Sequence, residues 1–145
     1  MPVAKTVLET FVSPDELREV ILDFEKYPEF LPEVKRIEVK EKTATSAVVT
    51  FHVAVAFAGF DVKTEYTVRY AIGPSEIRWS LVSSPSITKN EGAWILEETE
   101  DGETRARYEA TLESNLAVPP DVQALFVEEG LPKLMGHFRD RAEDL

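Results

Sequence analysis

The strongest constraint in this chain is the two-residue turn Ala58-Gly59, set between two long runs of alternating side chains within residues 48–72. A period of two over such lengths specifies antiparallel strands, and a two-residue connection fixes their register. A slip of one residue would exchange the buried and exposed faces. With Phe57 opposite Phe60, Val55 faces Val62, Val53 faces Thr64, Phe51 faces Tyr66 and Val49 faces Val68, so one face is apolar and aromatic. The other face sets Ala56 against Asp61, Ala54 against Lys63, His52 against Glu65 and Val48 against Arg69, and meets water.

On the C-terminal side of the hairpin the period of two persists. Ile77, Trp79 and Leu81 alternate with Glu76, Arg78 and Ser80, and residues 93–98 and 104–113 read as two further strands around the Asp101-Gly102 turn. In the last of these Thr104, Ala106, Tyr108, Ala110 and Leu112 share one face. The face of Trp94 stays open, because the length of the turn over Glu100 to Glu103 decides it. On the N-terminal side, residues 5–12 read as a strand that could bury either Val7, Glu9 and Phe11 or Leu8, Thr10 and Val12. Ser13-Pro14-Asp15-Glu16 is a capping box with proline at the first helical position, and it starts a helix over residues 14–24. The stripe Leu17, Val20, Ile21 and Phe24 faces the core, while Pro28 and Pro32 limit the next segment to a broken second helix. From residue 121 onward Val122, Leu125, Phe126, Leu131, Leu134, Met135, Phe138, Ala142 and Leu145 restore a helical period. They predict a long C-terminal helix over residues 121–144, bent near Leu131 by Gly130 and Pro132.

The expected architecture is α+β: a strand, a short helix pair, about six more antiparallel strands, and a long helix gripped by the curved sheet. No linker or repeat divides the 145 residues, so residues 1–145 read as a single domain. A chain of this length buries roughly 70% of its unfolded surface and folds without staples. It contains no cysteine, which removes disulfides, thiolate catalysis and cysteine metal sites. The formal charge of −11 opposes phosphate backbones, and the densest cationic stretch, residues 133–141, is interrupted by Leu134, Met135, Phe138 and Asp140. Nucleic acid is not an expected partner. The N-terminus MPVAKTVLETFV has no leader pattern and no apolar run is long enough to span a bilayer, so no stable membrane insertion is expected and the chain reads as cytoplasmic.

Catalytic signatures are sparse. His52 and His137 lie 85 positions apart, with His52 on the outer face, so no metal is expected. There is no Gly-x-Ser-x-Gly elbow and no glycine-rich phosphate loop. The pairs Glu97-Glu98 and Glu128-Glu129 read as solvated, with Glu129 beside the expected bend the one acid placed to turn inward.

In order and spacing the chain resembles the START-like, helix-grip superfamily, also called the birch-pollen-allergen or SRPBCC fold. Within it the resemblance is to the polyketide cyclase/dehydrase and coenzyme Q-binding group. The carriers are the capping box after the first strand, Phe24-x-x-Tyr27-Pro28-x-Phe30-Leu31-Pro32, Phe57-x-Gly59-Phe60 at the hairpin, Gly92-x-Trp94, Gly102-x-Thr104 and the terminal helix. The resemblance implies a ligand cavity between sheet and helix, with no cofactor. Its strand lining would be Phe51, Val53, Thr64, Tyr66, Trp79, Leu81, Trp94 and Tyr108, closed by Phe126, Met135 and Phe138. Thr64 and the hydroxyls of Tyr66, Tyr70 and Tyr108 would orient a hydrophobic molecule such as a lipid, quinone or polyketide. The family also implies an aromatase/cyclase, which needs an inward acid or base, and the inner positions offer no Arg, His or carboxylate. A ribosome-associated or other protein-interaction module is the third class. Whether the chain is an enzyme stays open at this point, and no catalytic residue is assigned.

Overall fold

A computed structural model describes residues 3–57, 60–114 and 131–144. The first strand, β1 (Val3–Thr10), leads into helix α1 (Pro14–Leu22), a 3₁₀ turn (Phe24–Lys26) and the single-turn helix α2 (Tyr27–Phe30). Six strands follow, β2 (Val34–Lys42), β3 (Ser46–Phe57), β4 (Phe60–Ile72), β5 (Glu76–Ser83), β6 (Ile87–Glu98) and β7 (Thr104–Ser114), and then helix α3 (Leu131–Glu143). The sheet order is β1-β7-β6-β5-β4-β3-β2 with every neighbouring pair antiparallel. This is the expected α+β helix-grip architecture. Because β1 and β2 lie at opposite edges, the segment joining them must cross the width of the sheet, and α1 and α2 make that crossing.

The capping box forms as the sequence requires. Ser13 Oγ accepts from the Glu16 amide at 3.3 Å, and the Ser13 amide donates to Glu16 Oε1 at 3.3 Å. Helix α1 stops at Leu22, two residues before the expected end, and Phe24 is buried from the 3₁₀ turn instead. In β1 the ambiguity of face resolves to Leu8 and Thr10 inward, while Phe11 beyond the strand is 63% exposed. The strand ends at Thr10 because its ladder with β7 ends at the pair Thr10 and Thr104. Strand β6 begins six residues earlier than the sequence suggests, at Ile87. The α3 span within the described residues begins at Leu131; Phe126, Glu129 and the expected bend at Gly130 lie outside them.

The central hairpin has the predicted register. Val49 pairs with Val68, Phe51 with Tyr66, Val53 with Thr64 and His52 with Glu65. The core consists of the inward residues of the strands packed under α1, the 3₁₀ turn and α3, including Leu17, Ile21, Phe24, Val49, Val68 and Ile77, each almost wholly buried.

On the outer face His52 is half-buried between two carboxylates, Nε2 lying 2.9 Å from Glu38 Oε2 on β2 and Nδ1 3.2 Å from Glu65 Oε2 on β4. The hydrogen bond from His52, followed by the nearby Arg36 and Lys40 charges, holds the Glu38 carboxyl below its ordinary pKa. Depressing a carboxyl's folded-state pKa adds stability above the unfolded value, and that stability disappears as the pH falls through the folded one. In His52→Ala the Glu38 carboxyl should therefore titrate nearer its ordinary value in an NMR pH series, with little change in stability because the pair is solvent-screened. An unmoved Glu38 titration would show that the contact does not form in solution.

Candidate functional site

Seven aromatic side chains form a closed circuit on the inner face. Starting at Tyr27 on α2, ring centroids are separated by 5.7 Å to Phe24, 4.7 Å to Tyr70, 6.1 Å to Trp79 and 5.5 Å to Tyr108. The circuit continues 4.9 Å to Trp94 and 5.1 Å to Phe138 on α3, and closes with 5.5 Å back to Tyr27. Phe51 and Tyr66 form a stacked branch at 5.1 Å, joined to Tyr27 at 6.0 Å. Such separations are those of favourable edge-to-face and offset pairs, so the rings hold one another in place.

The chain's four tyrosines all belong to this assembly. Burial pushes the Tyr66 hydroxyl up to about 12, and raises those of Tyr27, Tyr70 and Tyr108 as well, with the neighbouring phenols adding to the effect. All four remain neutral phenols at physiological pH, able to donate a hydrogen bond but poor as bases. The Tyr27 hydroxyl donates to the Ile21 carbonyl, which ties α2 to α1. The sheet's ion pairs lie on its outer face, as in Arg36 with Glu38, Lys89 with Glu91 and Arg107 with Glu97.

Exposure rises along the inner face from one end to the other. On β7 Thr104 and Ala106 are sealed, Tyr108 and Ala110 are half-buried, and Leu112 is 42% exposed. At the sealed end the Thr104 hydroxyl donates to the Val12 carbonyl at 2.8 Å, and Thr10 donates to Glu143 of α3 at 2.7 Å. At the open end two clefts flank the β5–β6 loop. One, of about 670 Å³, is bordered by Val53, Thr64, Lys63, Pro85 and Ser86 among others; the second, of about 420 Å³, by Tyr66, Thr67 and Ser84 among others. Both are open grooves on the rim and neither includes the aromatic circuit.

Phe51, Trp79, Trp94, Met135 and Phe138 are buried, and Val53, Tyr66, Leu81 and Tyr108 are half-buried against them. Phe51, Tyr66, Trp79, Trp94, Tyr108 and Phe138 are joined by direct ring contacts to one assembly. Trp94, whose face the sequence leaves open, points inward, pairing with Tyr108. Thr64 sits on the rim, hydrogen-bonded to Ser86, and Phe126 lies outside the described residues. Sequence reasoning placed the Tyr70 hydroxyl at the site but missed Phe24 and Tyr27 as ring partners. The signal was present in Phe24-x-x-Tyr27-Pro28, whose spacing presents both rings to the same side of the chain. It also missed Asn90, whose Oδ1 accepts from Trp79 Nε1 at 3.0 Å. Among the described residues no three His, Asp or Glu side chains are grouped as a metal site would require, and no helix is long and apolar enough to cross a membrane.

A curved antiparallel sheet gripping a C-terminal helix is the helix-grip fold. The chain belongs to the polyketide cyclase/dehydrase and lipid transport family, whose model matches residues 12–139. Among solved structures it is similar to the Zhui aromatase/cyclase from Streptomyces sp. R1128, at TM-score 0.81 and 18% identity over 98% of this chain and 93% of that one. It is similar to a START superfamily protein from Mycobacterium smegmatis, at TM-score 0.79 and 19% identity over 98% and 97% of the two chains. A STAR-related lipid transfer protein from Xanthomonas axonopodis matches at TM-score 0.75 and 16% identity over 96% and 84%. Identities this low establish a shared fold. No curated protein sequence matches the chain.

Proposed function

We propose that this chain acts in the cytoplasm as a single domain that binds and carries one hydrophobic small molecule, a lipid, quinone or polyketide-like compound, against the inner face of the sheet. The observation that carries this reading is the aromatic circuit combined with the exposure gradient along β7. A solid core would bury Leu112 as completely as Ala106; here the apolar face runs from sealed to accessible. The half-buried Tyr66, Leu81, Tyr108 and Ala110, backed by the buried rings of the circuit, supply apolar contact area, and the neutral phenols of Tyr66 and Tyr108 supply donors to orient a carbonyl or hydroxyl of the ligand.

The test is a titration with 1-anilinonaphthalene-8-sulfonate after removal of co-purified lipid. One probe should bind per chain with a dissociation constant on the order of micromolar. At about 100 times that constant it should stabilise the fold by roughly 2.7 kcal/mol in thermal unfolding. A probe that leaves both fluorescence and unfolding unchanged would refute a ligand site.

The likeness to an aromatase/cyclase favours a second reading, cyclisation of a bound polyketide chain. Tyr66, Tyr70 and Tyr108 keep their protons and can polarise a carbonyl, but an aldol step also needs a base, and the inner positions of the described strands supply no carboxylate or imidazole for it. Carriage therefore fits the observed groups better than catalysis.

A further inference from the structure

Among the described residues the β5–β6 ladder is the shortest in the sheet. These strands pair only from Glu76 with Ile95 to Trp79 with Gly92. Beyond that point β5 runs on to Ser83 and β6 reaches back to Ile87, yet neither pairs with the other. Each is held instead by its outer neighbour, β5 by β4 as far as Thr67 with Ser83, and β6 by β7 as far as Ile87 with Ser114. The sheet is thus two leaves, β2-β3-β4-β5 and β6-β7-β1, joined by a short seam at one end and by the loop Ser84-Pro85-Ser86 at the other, with an unpaired stretch between.

The parting has a local cause. The β4–β5 ladder shifts register between Leu81 and Ser83, leaving Val82 as the extra residue, and the β6–β7 ladder shifts between Ile87 and Lys89, leaving Thr88. A bulge bends its strand and increases its twist. With one on each side of the gap, the two strands are turned toward their own leaves. The β5–β6 loop follows β4, since Ser84 Oγ donates to the Glu65 carbonyl at 2.6 Å and Ser86 is hydrogen-bonded to Thr64.

At the apex of the fork the Trp79 indole lies over Gly92, where a Cβ would stand 2.5 Å from Trp79 Cζ2, and Trp79 Nε1 reaches across to Asn90 Oδ1. Two apolar residues edge the opening, Val82 at 51% exposure on one leaf and Leu112, the β7 partner of Asn90, at 42% on the other. Directly inside stand Trp79, Tyr108 and Trp94 of the aromatic circuit. The strand edges that face each other across the gap have no ladder pairs with one another, and the gap is bounded by the seam at one end and by the loop Ser84-Pro85-Ser86, whose Ser84 Oγ accepts from the Ile87 amide at 2.9 Å, at the other.

We propose that the fork between β5 and β6 is the path by which an apolar ligand reaches the inner face, with the Trp79–Asn90 hydrogen bond as the latch at its apex. The proposal rests on the carrier reading above. A latch on a path lowers or raises the barrier without touching the bound state, so it changes association and dissociation rates together and leaves affinity alone.

Two variants test this by stopped-flow binding of 1-anilinonaphthalene-8-sulfonate. Asn90→Ala removes the latch and should raise both rates several-fold with an unchanged dissociation constant. Ser80→Cys with Glu91→Cys places cysteines on the outer face just beyond the last seam pair, in a chain with no other thiol. Once mass spectrometry confirms the disulfide, association should slow by roughly tenfold or more and recover on reduction. Unchanged rates in Asn90→Ala would overturn the proposal whether or not the disulfide forms, as would a locked form that binds as fast as its reduced form. A rise in dissociation rate alone would make Asn90 a ligand contact and likewise overturn the latch. If the wild type binds no probe, the carrier reading itself fails; if it binds and the rates ignore the fork, only the path does.

Discussion

Gly92→Ala is expected to destabilise the fold by at least about 3 kcal/mol, the upper end of ordinary overpacking. A Cβ at this position would overlap the Glu109 carbonyl of β7 and stand 2.5 Å from the indole of Trp79. No choice of rotamer relieves this, because Cβ is fixed by the backbone. The carbonyl belongs to a ladder in which Gly92 sits opposite Ala110 and cannot retreat without opening the β6–β7 pairing. Such a loss is a large share of the roughly 5 to 15 kcal/mol that holds a domain together, and urea unfolding would read it directly. Replacing Trp79 by leucine in the same chain removes one obstacle and leaves the other, so the double variant should lose less than the sum of the two single losses. A Gly92→Ala protein as stable as the wild type would mean that neither the Glu109 carbonyl nor the Trp79 indole stands against β6 at this position.

Gly92 also marks where sequence reading succeeds and where it stops. The β3–β4 register was legible because a two-residue turn permits a single pairing, and that pairing sets His52 opposite Glu65 as expected. The capping box was legible because its two hydrogen bonds depend on residues three apart and on nothing distant. The first half of β6 was not. Its bulge at Thr88 shifts the phase of the alternation, and Asn90 and Gly92 are poor strand formers that the neighbouring ladder carries anyway.

Trp94 shows the same dependence on a distant pairing. Its face follows from the loop over residues 99–103, where the Thr99 amide donates to Glu103 at 2.9 Å and Gly102 takes the left-handed φ of 78°. A loop one residue shorter or longer would have turned the indole to solvent. The inward strand residues of the candidate site were legible as a period of two. Their contacts with Phe24 and Tyr27 were not, since the crossing of α1 and α2 from one sheet edge to the other is a property of strand order rather than of any local pattern.

Strand order also determines where a bulky residue would intrude on a ligand. Ala110 sits opposite Gly92 on the inner face, one step from Tyr108 toward the accessible end, and is half-buried. If the concavity there holds a ligand, the indole of Ala110→Trp occupies the same space. Binding of 1-anilinonaphthalene-8-sulfonate should then fall below detection, a loss of at least about 100-fold, while the unliganded protein unfolds at or above the wild-type midpoint. If the inner face is solidly packed, the added side chain has nowhere to go, and the variant should lose roughly 1 to 3 kcal/mol of stability through overpacking. The two outcomes differ in the sign of the stability change as well as in binding, so one unfolding curve and one titration separate them. A variant that both keeps its stability and binds the probe as the wild type does would place any ligand elsewhere on the molecule.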